Sequence, residues 1–262
     1  MNDQDYWQRQ HTDKPLFPNL FWSRPEQRHL CGKLLIIGGH GGSFVLVAKA
    51  YETALQAKAG SLRILLPDKL KRTVDKFFPG AIYAQSNISG GFAQSALDSF
   101  LSESDWADGV LLAGDLGKNS ETALVLEKYI QKFEGRLVIS HDALEYWLNS
   151  PQPILDRPAT AIVLNLVQLQ QLFMASHSTV AITAGMGLTP LVECLHNFTL
   201  QHIINLVIGY DQMIIVASHG MVVSTSKPKE KSINLIRVAS NISVWWLQNP
   251  TKTIEALSCA IY

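Results

Sequence analysis

Cysteine is scarce in this sequence, and charge is scarcer than usual. Three cysteines, Cys31, Cys194 and Cys259, with no CxxC pair and no histidine cluster at zinc-ligand spacing, argue against a disulfide framework and against a zinc site. They read as core thiols of a reducing compartment. Charged residues make up 17% of the 262 residues, and 22 Lys+Arg balance 22 Asp+Glu to a net charge of zero. That balance removes the polybasic surface on which nucleic-acid binding rests. No run of about 20 residues is continuously apolar, so no membrane span or membrane partner is expected. Met1 to Gln10 carry Asp3, Asp5 and Arg9 and no apolar stretch, so no signal peptide is expected and the chain reads as cytoplasmic. GxSxG, HExxH and paired-carboxylate motifs are missing too, as are internal repeats.

What remains is a chain that is 47% apolar, enough to bury a large core. Residues 1–32 hold Pro15, Pro18 and Pro25 among Trp7, Phe17, Phe21 and Trp22, which predicts an extended arm packed on the body or on a neighbouring subunit. From Lys33 to Tyr262 one α/β domain is expected. Leu34 to Ile37, Leu62 to Leu66, Ala81 to Ala84, Val110 to Ala113, Leu137 to Ile139 and Ala161 to Leu164 read as strands. Helical stripes alternate with them. Phe44 to Lys58 gathers Lys49, Glu52, Thr53 and Gln56 on one narrow polar stripe, while Phe92 to Leu101 and Ala123 to Phe133 show the same period. Such alternation predicts a mostly parallel sheet with helices on both faces, a three-layer α/β/α sandwich. Ile214 to Ala217 and Met221 to Ser224 read as a hairpin turning at His219-Gly220, followed by a charged loop, Lys227 to Lys231, and helix to the end. Pro158 to Ser226 carries only two formal charges, Glu193 and Asp211. Either this is a set of buried strands with uncharged helices, or it includes a subunit interface, since interface centres are depleted in charge. A homo-oligomer is expected.

Loops that follow parallel strands open on the carboxyl edge of the sheet, where ligands bind. The first carries Gly38, Gly39, His40, Gly41, Gly42 and Ser43 before a helix. It is either an anion cradle of main-chain N–H groups or simply a tight turn. The second, Gly114-Asp115-Leu116-Gly117-Lys118-Asn119, places Asn119 as the cap of the next helix. It lacks the first glycine and the Ser/Thr of a P-loop. Two further strand ends carry His141 with Asp142, as a solvated pair or an acid–base pair, and Asn165.

The segments Leu35-Ile36-Ile37-Gly38-Gly39, Lys58-Ala59-Gly60, Val110 to Gly117 and Val138 to Leu144 together resemble the ADP/ATP-dependent NAD(P)H-hydrate dehydratases of the ribokinase-like superfamily. The resemblance covers roughly residues 33–262. It implies a ribokinase-like fold, ADP or ATP with Mg as cofactor, and nucleotide-driven removal of water from hydrated NADH or NADPH. Departures from the family pattern are many. Asp115 stands within the stretch where the family has Gly-Pro-Gly-Leu-Gly, and Ser140 replaces the first Asp of Asp-Ala-Asp-Ala-Leu, leaving Asp142. The Thr-Pro-His-x-Gly-Glu stretch falls on Val163 to Gln168 without its His and Glu, and Leu-Lys-Gly falls about Val216-Ala217-Ser218 without its cation. For the superfamily's Gly-Thr-Gly-Asp, an anion hole with a catalytic Asp, the nearest counterpart is Ala239-Ser240-Asn241, whose amide cannot take up a proton as a carboxylate does. Asp142 and Asn241 are thus the catalytic candidates, and no metal ligands are assigned. The sequence suggests a protein that binds a nucleotide or phosphorylated small molecule with catalysis lost or altered. An active dehydratase or kinase with a rebuilt site, and a structural protein with an empty cleft, are the alternatives.

Overall fold

The computed structural model describes residues 5–11, 13–227 and 232–262. The chain begins with β1 (Trp7–Gln10) and α1 (Pro18–Trp22), then β2 (Lys33–Gly38), α2 (Val45–Gln56), β3 (Ser61–Pro67), α3 (Lys71–Val74) and β4 (Ile82–Ala84). It continues through α4 (Leu97–Trp106), β5 (Gly109–Gly114), α5 (Ser120–Lys132), β6 (Arg136–Ser140), α6 (Gln152–Leu155), β7 (Thr160–Asn165) and α7 (Leu166–Ala175). Last come α8 (Leu188–Gln201), β8 (Ile204–Tyr210), β9 (Met213–Ser218), β10 (Met221–Ser226), α9 (Leu235–Gln248) and α10 (Thr253–Ala260).

Among the described residues all strands join one 10-stranded sheet in the order β1-β10-β9-β8-β7-β6-β5-β2-β3-β4. Pairing is parallel except where β9 runs against β8 and β10. Alternation along each strand divides the core into two. Leu35, Ile37, Leu112, Ile139, Ile162 and Ile208 pack with α4, α5, α7 and α8 on one face, while Leu34, Ile36, Leu111, Val138, Val163 and Val207 pack with α2, α9 and α10 on the other. A residue period of two, with both sets buried, is what a sheet covered on both faces demands. The result is the three-layer α/β/α sandwich.

Several boundaries differ from the reading of the sequence. The arm is not wholly extended: Trp7–Gln10 pairs in parallel with β10 as an edge strand, with Trp7 Nε1 donating to Ser224 Oγ at 2.9 Å, and Pro18 opens α1 at its first turn. Leu20, Trp245, Ala256 and Cys259 form a small separate core under it. Thr53 is buried and donates to the Lys49 carbonyl at 2.7 Å, so it leaves the polar stripe of α2, whereas Val45 and Leu55 face solvent. The helix expected from Phe92 begins at Leu97, after a short 3-10 turn. Strand β8 is absent from the sequence reading because only His202 and Ile203 separate it from α8, with no Gly or Pro to mark the change. The hairpin β9–β10 turns at His219 and Gly220, both at positive φ (49° and 79°). Most of the charged loop expected after it, residues 228–231, lies outside the described residues. Among the described residues no helix is long and apolar enough to cross a membrane.

Candidate functional site

The carboxyl edge is knitted together by carboxylates. Asp142, just beyond β6, accepts the Asp115 N–H at 2.7 Å through Oδ1 and the Leu116 N–H at 2.9 Å through Oδ2. Asp115 Oδ2 in turn accepts the Leu46 N–H at 2.7 Å, which caps the N-terminus of α2. Asp115 and His141 are non-glycine residues in the left-handed region, at φ 57° and 53°. Gly114, at φ 107°, has no room for a side chain, because a Cβ would overlap Oδ1 of Asp142. Gly38 is pressed as closely against the Gly114 carbonyl, so the β2 and β5 ends meet backbone to backbone.

The glycine loop after β2 has its donors engaged inside the chain. Gly39 N–H goes to the Gly114 carbonyl (3.0 Å), His40 N–H and Ser43 N–H exchange with each other's carbonyls (2.9 Å each), and Gly41 N–H goes to the Gly90 carbonyl (2.8 Å). Among the described residues only Gly42 and Phe44 keep main-chain donors without a partner in this stretch. His40 Nδ1 lies 2.8 Å from the Asp115 carbonyl. The loop over residues 86–92, which the sequence did not mark as part of the site, closes on top: Asn87 Nδ2 donates to Asn119 Oδ1 at 2.8 Å and Asn119 Nδ2 to Ser89 Oγ at 3.1 Å. Its only signal in sequence is the turn-forming run Asn87-Ile88-Ser89-Gly90-Gly91.

Helix N-termini at this edge are also capped from within. Asn119 Oδ1 accepts from Glu121 and Thr122 N–H on α5, Asn165 forms a reciprocal capping box with Gln168 on α7, and Asn234 Oδ1 accepts from Arg237 N–H on α9. Gln168 is therefore an internal residue, which also donates to the His141 carbonyl at 3.1 Å. Burial pushes the His141 imidazole below its usual pKa, with Asp142 and Asp115 opposing the shift. Its Nδ1 lies 2.8 Å from Ser140 Oγ.

A cavity of about 820 Å³ opens between the start of α5, the turn His141–Tyr146 and α7. Of the residues expected to bind ligand it gathers Gly117, Lys118 and Asn119, and of the catalytic candidates Asp142, joined by Ser120, Glu145, Tyr146, Asn149, Gln171 and Met174. Gly38 to Ser43, Gly114, Asp115 and Asn165 are not in its wall. Tyr146 donates its hydroxyl to the Gly117 carbonyl, and burial pushes its pKa up to about 12.

Two expected positions are corrected. Asn241 lies inside α9, a turn and more beyond the helix start at Leu235, so Ala239-Ser240-Asn241 cannot form an anion hole at a helix N-terminus. Its neighbour Ser240 is buried in the helix interface and donates to the Ala50 carbonyl of α2 at 2.6 Å. Val216 to Ser218 lie at the end of β9, which runs antiparallel and delivers them to the amino edge, away from the cleft. The carboxyl edge there is made instead by Tyr210, Gln212, Lys227 and the Asn234 cap, whose hydroxyl, main-chain and amide groups bond within the chain. Apolar periodicity placed the strands but gave no register for the charge-poor end.

No family model matches this sequence, and no curated protein matches it. Solved structures do. A ribokinase-like superfamily protein from Enterococcus faecalis V583 superposes with a TM-score of 0.72 at 15% identity, over 98% of this chain and 86% of that one. The chain has the ribokinase-like fold. A Streptococcus mutans protein matches with a TM-score of 0.66 at 16% identity, covering 91% of this chain and 83% of that one. The ADP/ATP-dependent NAD(P)H-hydrate dehydratase of Bacillus subtilis, co-crystallised with ATP/Mg²⁺, matches with a TM-score of 0.65 at 12% identity, covering 96% and 87%.

Among the described residues no three His, Cys, Asp or Glu side chains gather to hold a metal. Asp115 and Asp142, the carboxylates nearest the glycine turns, are each tied to main-chain N–H groups.

Proposed function

We propose that this chain is a small-molecule-binding protein of ribokinase-like fold in which nucleotide-driven catalysis is lost and the cleft at the carboxyl edge is kept. The observation that carries the reading is the engagement of both candidate carboxylates: Asp142 holds two main-chain N–H groups and Asp115 caps α2. A carboxylate so bound is committed to holding the main chain and has fewer lone pairs left for a substrate. The end of α9 supports the same reading. Its described approach, Ser232-Ile233-Asn234, offers an amide cap and no carboxylate. The ligand site is the cavity beside α5, with Asp142 in its wall and the Gly117 to Asn119 turn at its mouth.

A second reading, binding of ADP or ATP without magnesium, is favoured by α8, whose N-cap Gly187 supplies no side chain and leaves the helix's first N–H groups to other partners. Thermal-shift measurements with ADP, ATP, NAD(P)H and hydrated NAD(P)H, with and without magnesium, separate the two readings. Stabilisation needs ligand well above its Kd, about 2.7 kcal/mol at a hundredfold excess. Dehydration of NAD(P)H-hydrate by purified protein at a rate near that of the dehydratases would overturn the loss of catalysis.

We also propose self-association through the charge-poor helices. Leu169, Leu172 and Phe173 of α7 are buried in the chain's own core, so the contact falls to Val167, Gln171 and Met174, which are exposed, the last two at the edge of the cavity.

A further inference from the structure

A second cavity, of about 400 Å³, lies at the amino edge of the sheet, away from the cleft, and has the size of a small-molecule pocket. Charges of both signs line it without pairing. Arg136, at the start of β6, shares the wall with Glu134 and Asp108, yet the ion pairs among the described residues, Arg63–Glu103 and Lys118–Glu145, lie elsewhere. Arg157 behind it spends its guanidinium on the Phe133, Gly135 and Pro158 carbonyls and on Thr160 Oγ1 rather than on Glu134. Asp108 Oδ2 accepts the Lys33 N–H at 2.8 Å, which leaves Oδ1 open. A fourth polar group is set by a buried chain of hydrogen bonds. Asn205 of β8 donates through Nδ2 to the Thr160 carbonyl at 2.8 Å, so its Oδ1 is the acceptor, and Ser218 Oγ of β9 donates to it at 2.6 Å. With that proton committed, the Ser218 oxygen accepts from His219 Nδ1, 2.9 Å away. Neutral His219, which lines the cavity, therefore carries its proton on Nδ1 and keeps Nε2 as a bare acceptor. Asn205 and Ser218 are 3% and 2% exposed, and a satisfied polar chain at that depth holds the imidazole in one orientation. Ile203, Pro250 and Trp246 supply apolar wall.

We propose that this amino-edge cavity binds a zwitterionic small molecule, by chemical class a free α-amino acid with an apolar side chain. The carboxylate pairs with the Arg136 guanidinium, whose fork of N–H donors matches two oxygens. The ammonium donates to Glu134 and to His219 Nε2, and the side chain covers Ile203. A ligand with only one of the two charges leaves part of the wall unanswered. The cavity shares no residue with the cleft beside α5, so the two sites are tested independently.

Leucine, isocaproate and isoamylamine share one branched side chain and carry both charges, the carboxylate alone and the ammonium alone. Each is titrated into the full-length protein while the backbone amide resonances of Gly135, Arg136, Asn205 and His219 are followed. Leucine should bind tightest, with each analogue weaker by about tenfold or more. In Arg136→Gln leucine should fall to the level of isoamylamine, whereas Arg136→Lys should keep part of the gap. His219→Asn, an exchange suited to the positive φ, should weaken leucine and isoamylamine and leave isocaproate unchanged. Either analogue binding the unaltered protein as tightly as leucine would overturn the zwitterion, since one charge would then carry the affinity. Leucine that leaves these amides unmoved would overturn the site. Leucine that moves only Gly117 to Ser120 would overturn it too, while the reading of the cleft would stand.

Discussion

The carboxylate of Asp142 grips the main chain of Asp115, accepting its N–H at 2.7 Å while its other oxygen takes the N–H of Leu116. This contact joins the β6 end to the β5 end, and the Asp115 carboxylate passes the link on to the start of α2. It also holds Asp115 in the left-handed conformation, at φ 57°, which for a residue with a side chain needs support from its surroundings. The same carboxylates that a sequence reader marks for ligand or catalysis thus serve as the struts of the cleft.

Asp142→Asn should therefore destabilise the protein as well as alter the cavity. An amide keeps one acceptor oxygen and presents an NH₂ group to the other main-chain donor, so at least one charge-assisted bond is lost. The expected cost is about 2 kcal/mol, read as a lower urea midpoint with unchanged m. A change under about 0.5 kcal/mol would show that the carboxylate is not a strut.

Gly114→Ala should be poorly tolerated. The φ of 107° strains an L side chain, and the added methyl would overlap the Asp142 oxygen, with Leu46 and His141 close on other sides. A loss of about 3 kcal/mol is expected in equilibrium unfolding. Near-wild-type stability would mean that the β5 and β6 ends can move apart.

The sheet and its two-faced burial were legible because strands such as Leu34–Ile37 and Val110–Ala113 are uninterrupted apolar runs followed by glycine. Asn119 was legible as a cap for a local reason, its position one residue before a helical stripe. What the sequence hid was pairing at a distance. Nothing near Asp115 indicates that Leu46, far upstream, donates to its carboxylate, and nothing near Asn87 indicates Asn119. Asn241 misled because Ala239-Ser240-Asn241 is the nearest counterpart in sequence of the superfamily's Gly-Thr-Gly-Asp, whereas α9 starts further upstream, at Leu235 with Asn234 as its cap.

Burial of His141 predicts a definite pH dependence. Its folded-state pKa lies below the unfolded value near 6.5, so the unfolded chain binds the proton more readily. Stability from the neutral imidazole is complete above that unfolded value and declines as pH falls through it toward the lower folded pKa. Unfolding free energies measured from about pH 8 to about pH 5 should fall in this window. His141→Asn, an exchange that tolerates the positive φ, should flatten the decline, and an equal slope in the variant would assign it to other groups.

Self-association can be tested on the outward face of α7. Val167, Gln171 and Met174 are spaced to share one side of the helix, and Val167 and Met174 are 61% and 74% exposed in the isolated chain. The helix carries no formal charge, so water gains little from it and an equally uncharged surface of a second copy loses little on contact. Gln171→Lys and Met174→Lys place an ammonium where such a contact would have to strip its hydration, and both positions are exposed, so the fold itself should survive. Light scattering at tens of micromolar should report an oligomer for the unaltered chain and a smaller mass for either lysine variant. A monomeric mass for the unaltered chain would end the proposal, and an oligomer indifferent to both substitutions would move the interface off α7.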